Sequence, residues 1–318
     1  MNSEQPLNLP LSRSVVDRNA EKRTDDAFIK NAFTTAQVMI IQNGKVGIPN
    51  EFAKNIKFFK GAQLGAYESE RDYYLGEISG ESYFVRHLSP EQKQISSGET
   101  TDSISFATLR EFGSHLDERE IGLAVQAQGL ANWHEKHLRC SICGAATVVK
   151  SAGAIRKCEL DESEHYPRTD CAIIVLVKDK DDRILLGRQS VWPQHRFSTF
   201  AGFVEPGESF ENCVIREVKE EAGVYVSKIK YLGSQPWPFP SSLMVAFEAI
   251  TDAPENAKPD GIEIEQVRWF NRSQIAAAIS DGTLLLPPRI SVARAMIDKW
   301  YESGGLNPTD LKGGEALR

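Results

Sequence analysis

Apolar and polar positions change rhythm along the chain, and the changes mark three parts. Residues 1–31 mix both kinds without a clear period and predict a loosely ordered arm. Residues 36–48 then read as two short strands around Asn43-Gly44, a pair suited to the tight turn of a hairpin, and 62–67 and 82–87 continue as strands. A polar stretch over 89–102 predicts a long loop. From residue 105 the period becomes helical, and Asp117 with Glu120 three positions on predicts a capped helix running to about residue 137. Residues 1–135 therefore predict a small α+β domain, followed at 136–167 by a short segment poor in apolar residues. From 168 to 318, strands are expected at 171–177, 183–187, 228–234, 243–250 and 267–270, with 198–204 leading into the stretch that begins at Gly202. Helices are expected at 273–280 and 291–301, and in the stretch that follows residue 209; a polar, glycine-rich tail begins at 304.

Composition narrows the class. The 318 residues are 41% hydrophobic and 25% charged, as in a soluble globular protein of two or three domains. A net charge of −7 argues against broad electrostatic binding to nucleic acid, leaving only a local basic groove open. The first 26 residues hold no apolar stretch resembling a signal peptide, and the longest apolar run, 171–177, is too short to cross a bilayer. Five cysteines, an odd number with one close pair, favour metal binding in a reducing compartment over disulfides, so the cytoplasm is the expected location.

The chemistry concentrates between Gly202 and Val224. Five residues separate Gly202 from Glu208, seven more separate Glu208 from Arg216, and Glu217, Glu220 and Glu221 follow at helical spacing. On a helix these three carboxylates share one face and repel, and a bound Mg²⁺ or Mn²⁺ compensates while leaving positions for water and phosphate. Phe210, Val214 and Val218 recur on another face that can dock on a sheet, Gly207 permits a sharp turn, and Gly223 suits a helix end. Arg216 is expected to orient the glutamates, with Glu208 as its partner. Upstream, Cys140 and Cys143 form a tight thiolate turn, and Cys158 follows. Asp161 stands where a fourth cysteine would complete a zinc ribbon, with His165 four residues further on; either could close a structural zinc site. His134 and His137 are expected in surface or interface packing and not as ligands.

All nine fixed positions of the Nudix box, G-x5-E-x7-R-E-U-x-E-E-x-G-U with U aliphatic, are present, and the chain resembles a Nudix hydrolase. Downstream, Ser234-Gln235-Pro236-Trp237-Pro238-Phe239-Pro240-Ser241-Ser242 resembles the loop signature of the NADH pyrophosphatase group. The chain departs from that group at Asp161 and at Cys171, where relatives often carry proline. The resemblance implies an α+β chain: an N-terminal α+β domain, a zinc-ribbon-like segment, and a Nudix α/β/α sandwich with a mixed sheet. It implies homodimers and hydrolysis of NADH or NAD⁺ to AMP and the nicotinamide mononucleotide. Glu217, Glu220, Glu221 and Glu263, with the Ala201 carbonyl, would hold two or three Mg²⁺ or Mn²⁺ ions, Glu265 being the rival of Glu263. Phe203 would stack on the nicotinamide, Tyr166 and Ala293 would lie along the ligand, and Arg110 would contact a phosphate. The three prolines stiffen the loop, so that Trp237 and Phe239 can receive a planar base unless they plug the core, and the Gln235 amide suits a carboxamide ligand. Removal of NAD caps from RNA, hydrolysis of ADP-ribose, and a non-catalytic nucleotide sensor are the alternatives.

Overall fold

Asp25 accepts a hydrogen bond from the Phe28 amide at 2.9 Å and so caps helix α1 (Asp26–Thr35), which buries Ile29 and Phe33. The expectation of a loose arm over 1–31 is thereby corrected, since Leu9 and Leu11 are also buried. The computed structural model describes residues 6–95 and 98–311, so the first five residues of that arm lie outside the described residues, as does the end of the polar tail. The chain divides into two units: the first takes 13–169 with 237–241, the second 6–12, 170–236 and 242–311.

In the first unit, β1 (Gln37–Gln42) and β2 (Lys45–Ile48) form the hairpin at Asn43-Gly44, both residues having positive φ (52° and 68°). With β3 (Phe58–Lys60), β4 (Asp72–Ile78), β5 (Glu81–Leu88) and β6 (Ser105–Ala107) it builds a six-stranded sheet of order β4-β5-β1-β2-β6, β3 lying on β1. Residues 62–67, expected as a strand, instead contain a 3-10 turn at Gly61–Leu64. There the backbone passes so close to the end of α1 that a Cβ on Gly61 would stand 1.6 Å from the Phe33 carbonyl oxygen. Residues 105–107, expected as helical, pair with β2 before α2 (Leu109–Phe112) begins. Asp117 then accepts from the Arg119 and Glu120 amides and starts α3 (Glu118–Lys136).

β7 (Thr147–Lys150), β8 (Ile155–Cys158) and β9 (Glu164–His165) form a small antiparallel sheet that groups with this unit. The Val149 amide donates to Glu70, and Arg156 donates to the His134 ring at 3.1 Å. His134, expected at a surface or interface, is 2% exposed and stacks on Tyr73 with ring centroids 4.1 Å apart, a correction made by this buried contact.

The second unit is a sandwich. β10 (Asp170–Lys178), β11 (Ile184–Gln189) and β12 (Phe200–Phe203) precede α4 (Phe210–Ala222). β13 (Ser227–Trp237), β14 (Ser242–Ile250), β15 (Ile264–Phe270), α5 (Arg272–Ser280) and α6 (Val292–Ser303) follow. The sheet order is β13-β14-β10-β11-β15 with β12 on β10, and β10 runs parallel to β14 while antiparallel to β11 and β12. Ile173, Val175 and Val177 of β10 pack on the α4 side, whereas Ile174 and Leu176 pack on the side of α5 and α6. Helices cover both faces, which is why this strand reads as an unbroken apolar run. Among the described residues, no helix is long and apolar enough to cross a membrane.

Candidate active site

Gly207 turns the chain at φ 87°, the Ser209 hydroxyl caps α4 by accepting from the Asn212 amide, and Gly223 ends the helix at φ 72°. Val214 and Val218 are buried against the sheet; Phe210, at the start of that stripe, is 36% exposed. Arg216 gathers the acidic residues around it. Its Nε and Nη2 donate to the two oxygens of Glu208 at 2.8 and 2.9 Å, Nη1 donates to Glu217 at 2.8 Å and to Glu220 at 3.1 Å, and Nη2 also reaches the Phe203 carbonyl. The hydrogen bonds from Arg216 hold the Glu208 carboxyl down to about 2.

Glu221 is placed differently. It is 5% exposed, and its Oε2 has no hydrogen-bond partner. Burial, then the charges of Glu263 and Glu217, push its carboxyl up to about 8, and burial also raises that of Glu217. Space for the Glu217 carboxylate comes from β12, where a Cβ on Gly202 would stand 1.9 Å from it. Ala201 beside it gives Glu221 a backbone hydrogen bond. A buried carboxylate oxygen without a partner, facing further carboxylates in an all-oxygen donor set, fits a hard divalent cation. Glu217, Glu220, Glu221 and Glu263 are the side chains that could hold it.

Of the two late glutamates, Glu263 faces this cluster, its Oε1 accepting from Gln189 at 2.7 Å, whereas Glu265 is engaged by Arg188. Asp260 fixes the turn before β15 by accepting from the Ile262, Glu263 and Ile264 amides. This support for Glu263 was not anticipated, although the Asp260-Gly261 pair is a turn signal in the sequence. Phe203 is 60% exposed. Ala293, expected along a ligand, is corrected to a core position: 2% exposed, it packs among the apolar residues between α6 and the sheet.

Gln235 likewise departs from expectation. It has no exposed surface; its Oε1 accepts from the Leu11 amide and its Nε2 donates to the Ile290 carbonyl, both at 3.0 Å. With both ends of the amide satisfied, it ties parts of its own unit together and has nothing to offer a carboxamide. Pro236, Ser241 and Ser242 are half-buried, Pro238 is buried and Pro240 exposed. Trp237 and Phe239 do not plug the core: half-buried, they form a T-shaped pair at 4.9 Å. The guanidinium of Arg110 lies over both rings, at 5.2 and 4.5 Å. Arg110, expected at a phosphate, is thus found in cation–π contact with the loop aromatics. Tyr166 is 66% exposed and donates to Glu164.

In the first unit, Cys140, Cys143, Cys158 and Asp161 bring one ligand atom each to within 4.8 Å of one another. Asp161, and not His165, stands with the three cysteines; the His165 Nε2 is 3.2 Å from the Ser163 hydroxyl. Against the effect of desolvation, hydrogen bonds from Ser163 and the nearby backbone lower the Cys140 thiol to about 6. Three sulfurs and one carboxylate oxygen at this spacing suit tetrahedral zinc.

Two family descriptions match the chain: a NUDIX domain over residues 167–286 and an NADH pyrophosphatase-like rudimentary NUDIX domain over 36–133, together more than half of it. An NAD-capped RNA hydrolase NudC of Mycobacterium bovis is 44% identical over 200 residues, covering 60% of this chain and 64% of the relative. The human NAD-capped RNA hydrolase NUDT12 is 38% identical over 205 residues, 61% of this chain and 44% of the relative. The alignment thus spans less than two-thirds of either relative's length. A NUDIX hydrolase structure from Nitrosomonas europaea aligns with a TM-score of 0.42 at 20% identity over 54% of this chain and 94% of that one, too distant to carry an argument.

Proposed function

The chain belongs to the Nudix family, and from that premise we infer that it hydrolyses the pyrophosphate bond of an NAD-linked substrate with the help of a divalent cation. The observation that carries this reading is Glu221: a buried carboxylate with an orphaned oxygen, beside Glu217 and facing Glu263, is explained by positive charge brought to it. When bound there, Mg²⁺ or Mn²⁺ offsets the charge of the bridging phosphates and lowers the pKa of water enough to make it a nucleophile. The residues themselves do the positioning. Arg216 keeps Glu217 and Glu220 aimed from one side of α4, with Glu208 as its counter-charge. Burial and the neighbouring carboxylates hold the Glu221 carboxyl up to about 8, and a cation held beside it would favour its charged form.

The substrate assigned first is the NAD cap of an RNA 5′ end, cleaved to nicotinamide mononucleotide and a 5′-monophosphate end, because the matching relatives are named for that activity. Free NADH or NAD⁺, giving AMP, is the second reading; the rudimentary domain is described as NADH pyrophosphatase-like, and a net charge of −7 offers little help in tracking RNA phosphates. In both, Trp237 and Phe239 receive a planar base and Phe203 stacks on the nicotinamide. Zinc held by Cys140, Cys143, Cys158 and Asp161 would be structural, and a homodimer, testable by light scattering, is the proposed assembly.

The test is a product assay with Mg²⁺ or Mn²⁺ on NAD-capped RNA, NADH, NAD⁺ and ADP-ribose at equal concentration. Faster cleavage of capped RNA than of NADH supports the first substrate, the reverse order supports the second, and cleavage of none by folded, metal-loaded protein overturns both. Glu221→Gln should lower turnover at least about 100-fold while leaving the fold intact; full residual activity would remove Glu221 from the reaction.

A further inference from the structure

The loop that carries Trp237 and Phe239 is poor in backbone donors of its own. Pro236, Pro238 and Pro240 have no amide hydrogen, and within the loop the Phe239 amide turns back on the Trp237 carbonyl at 2.7 Å. The carbonyls on either side of Phe239, those of Pro238 and Pro240, need donors from elsewhere. One side-chain amide meets both: Asn132 of α3 donates from Nδ2 to each at 2.9 Å. Because the two hydrogens of one nitrogen have fixed directions, this fork sets where Phe239 sits as well as tethering the loop.

Asn132 is itself held. Its Oδ1 accepts from Gln128 Nε2, one helical turn earlier on α3, at 2.8 Å, which fixes which way the Asn132 amide faces. Gln128 is 2% exposed and its Oε1 has no partner. A buried unpartnered amide oxygen weakens the fold, and an apolar side chain there would avoid the loss. Its presence is explained if the direction of the Asn132 amide matters more than the stability forgone. Arg110 of α2 braces the same loop through its rings.

We propose that Asn132, oriented by Gln128, is a positioning residue that sets the Trp237–Phe239 pair for the base of the substrate. The role rests on the reading of this loop as the part that receives substrate. Asn132 bonds to Gln128 and to the two loop carbonyls, so its influence is expected on substrate binding and not on the bond-breaking step.

The experiment uses the full chain with Asn132→Asp, which keeps the shape but sets acceptors against the two carbonyls, and Asn132→Leu, which removes the donors. Amide hydrogen exchange at Phe239 and Ser241 reads the loop without reference to catalysis; kinetics on NADH and NAD-capped RNA read the consequence. Both variants should exchange at these amides at least about tenfold faster, with β10 unchanged, and should raise KM about tenfold or more while kcat stays within about threefold. Unchanged exchange with unchanged KM overturns the proposal, as does a loss confined to kcat. Should the wild-type chain cleave no NAD-linked substrate, the functional reading fails by itself, and exchange still decides whether Asn132 holds the loop. If Asn132→Asp does not fold, Gln128→Leu is the second variant: it removes the brace and the orphaned oxygen together, and faster loop exchange in a chain of equal or greater stability is the expected result.

Discussion

His134 has a proton balance that can be worked out from its two contacts. Its Nε2 donates to the Gly153 carbonyl at 2.8 Å, so its Nδ1 accepts from the Arg156 guanidinium. A second proton, on Nδ1, would face that guanidinium in a buried place, and burial accordingly pushes the ring down to about 3. In the unfolded chain the ring titrates near 6.5, so the unfolded state takes up a proton as pH falls below that value while the folded state refuses it. The stability that His134 contributes is therefore complete above about pH 6.5 and is lost as pH falls toward 3; by pH 5 the loss is about 2 kcal/mol. Urea midpoints at pH 7.5 and 5 for the wild type and His134→Gln check this. The wild type should lose more stability between the two values, and an equal loss would show that another group governs the acid limb.

Between β12 and α4, the important contact is an absent one. Gly202→Ala would place a methyl 1.9 Å from the Glu217 carboxylate, and the flexible side chain would swing away while the backbone stays. Turnover is expected to fall at least roughly tenfold with the thermal midpoint little changed, because misplacing a reacting group by about 1 Å is costly to rate but not to folding. Paired kinetics and melting curves test it, and undiminished turnover would mean that the displaced carboxylate serves as well. This part of the site was legible in the sequence because it is local: Glu217, Glu220 and Glu221 share a helix face through spacing alone, and Glu208 is eight residues from its arginine. Gln235 was misread for the opposite reason. Its partners Leu11 and Ile290 lie 224 and 55 residues away, and no local pattern announces them. Asn132 and Gln128 read as ordinary polar positions of α3, and only the fold brings the loop carbonyls to them. His134 belongs with these, since its burial depends on Tyr73 and Arg156 from other elements.

At the scale of the molecule, the second unit is discontinuous: residues 6–12 belong to it, although 13–169 intervene before it resumes. The Leu7 amide donates to the Leu232 carbonyl at 2.8 Å, the Leu11 amide donates to Gln235, and Leu9 is buried in the layer that includes α5 and α6. A fragment cut at residue 168 therefore lacks part of its own core, at about 1.5–3 kcal/mol for each fully buried leucine. It should melt below the same fragment with residues 6–12 joined through a flexible linker, and equal melting temperatures would show the arm to be dispensable. The same discontinuity bears on synthesis. The ribosome makes Leu11 first and its acceptor Gln235 224 residues later, which at usual elongation rates is a delay of roughly 10 to 45 s. For that interval the nascent chain carries a leucine-rich heptapeptide with nowhere native to dock, a window in which a chaperone would have something to hold.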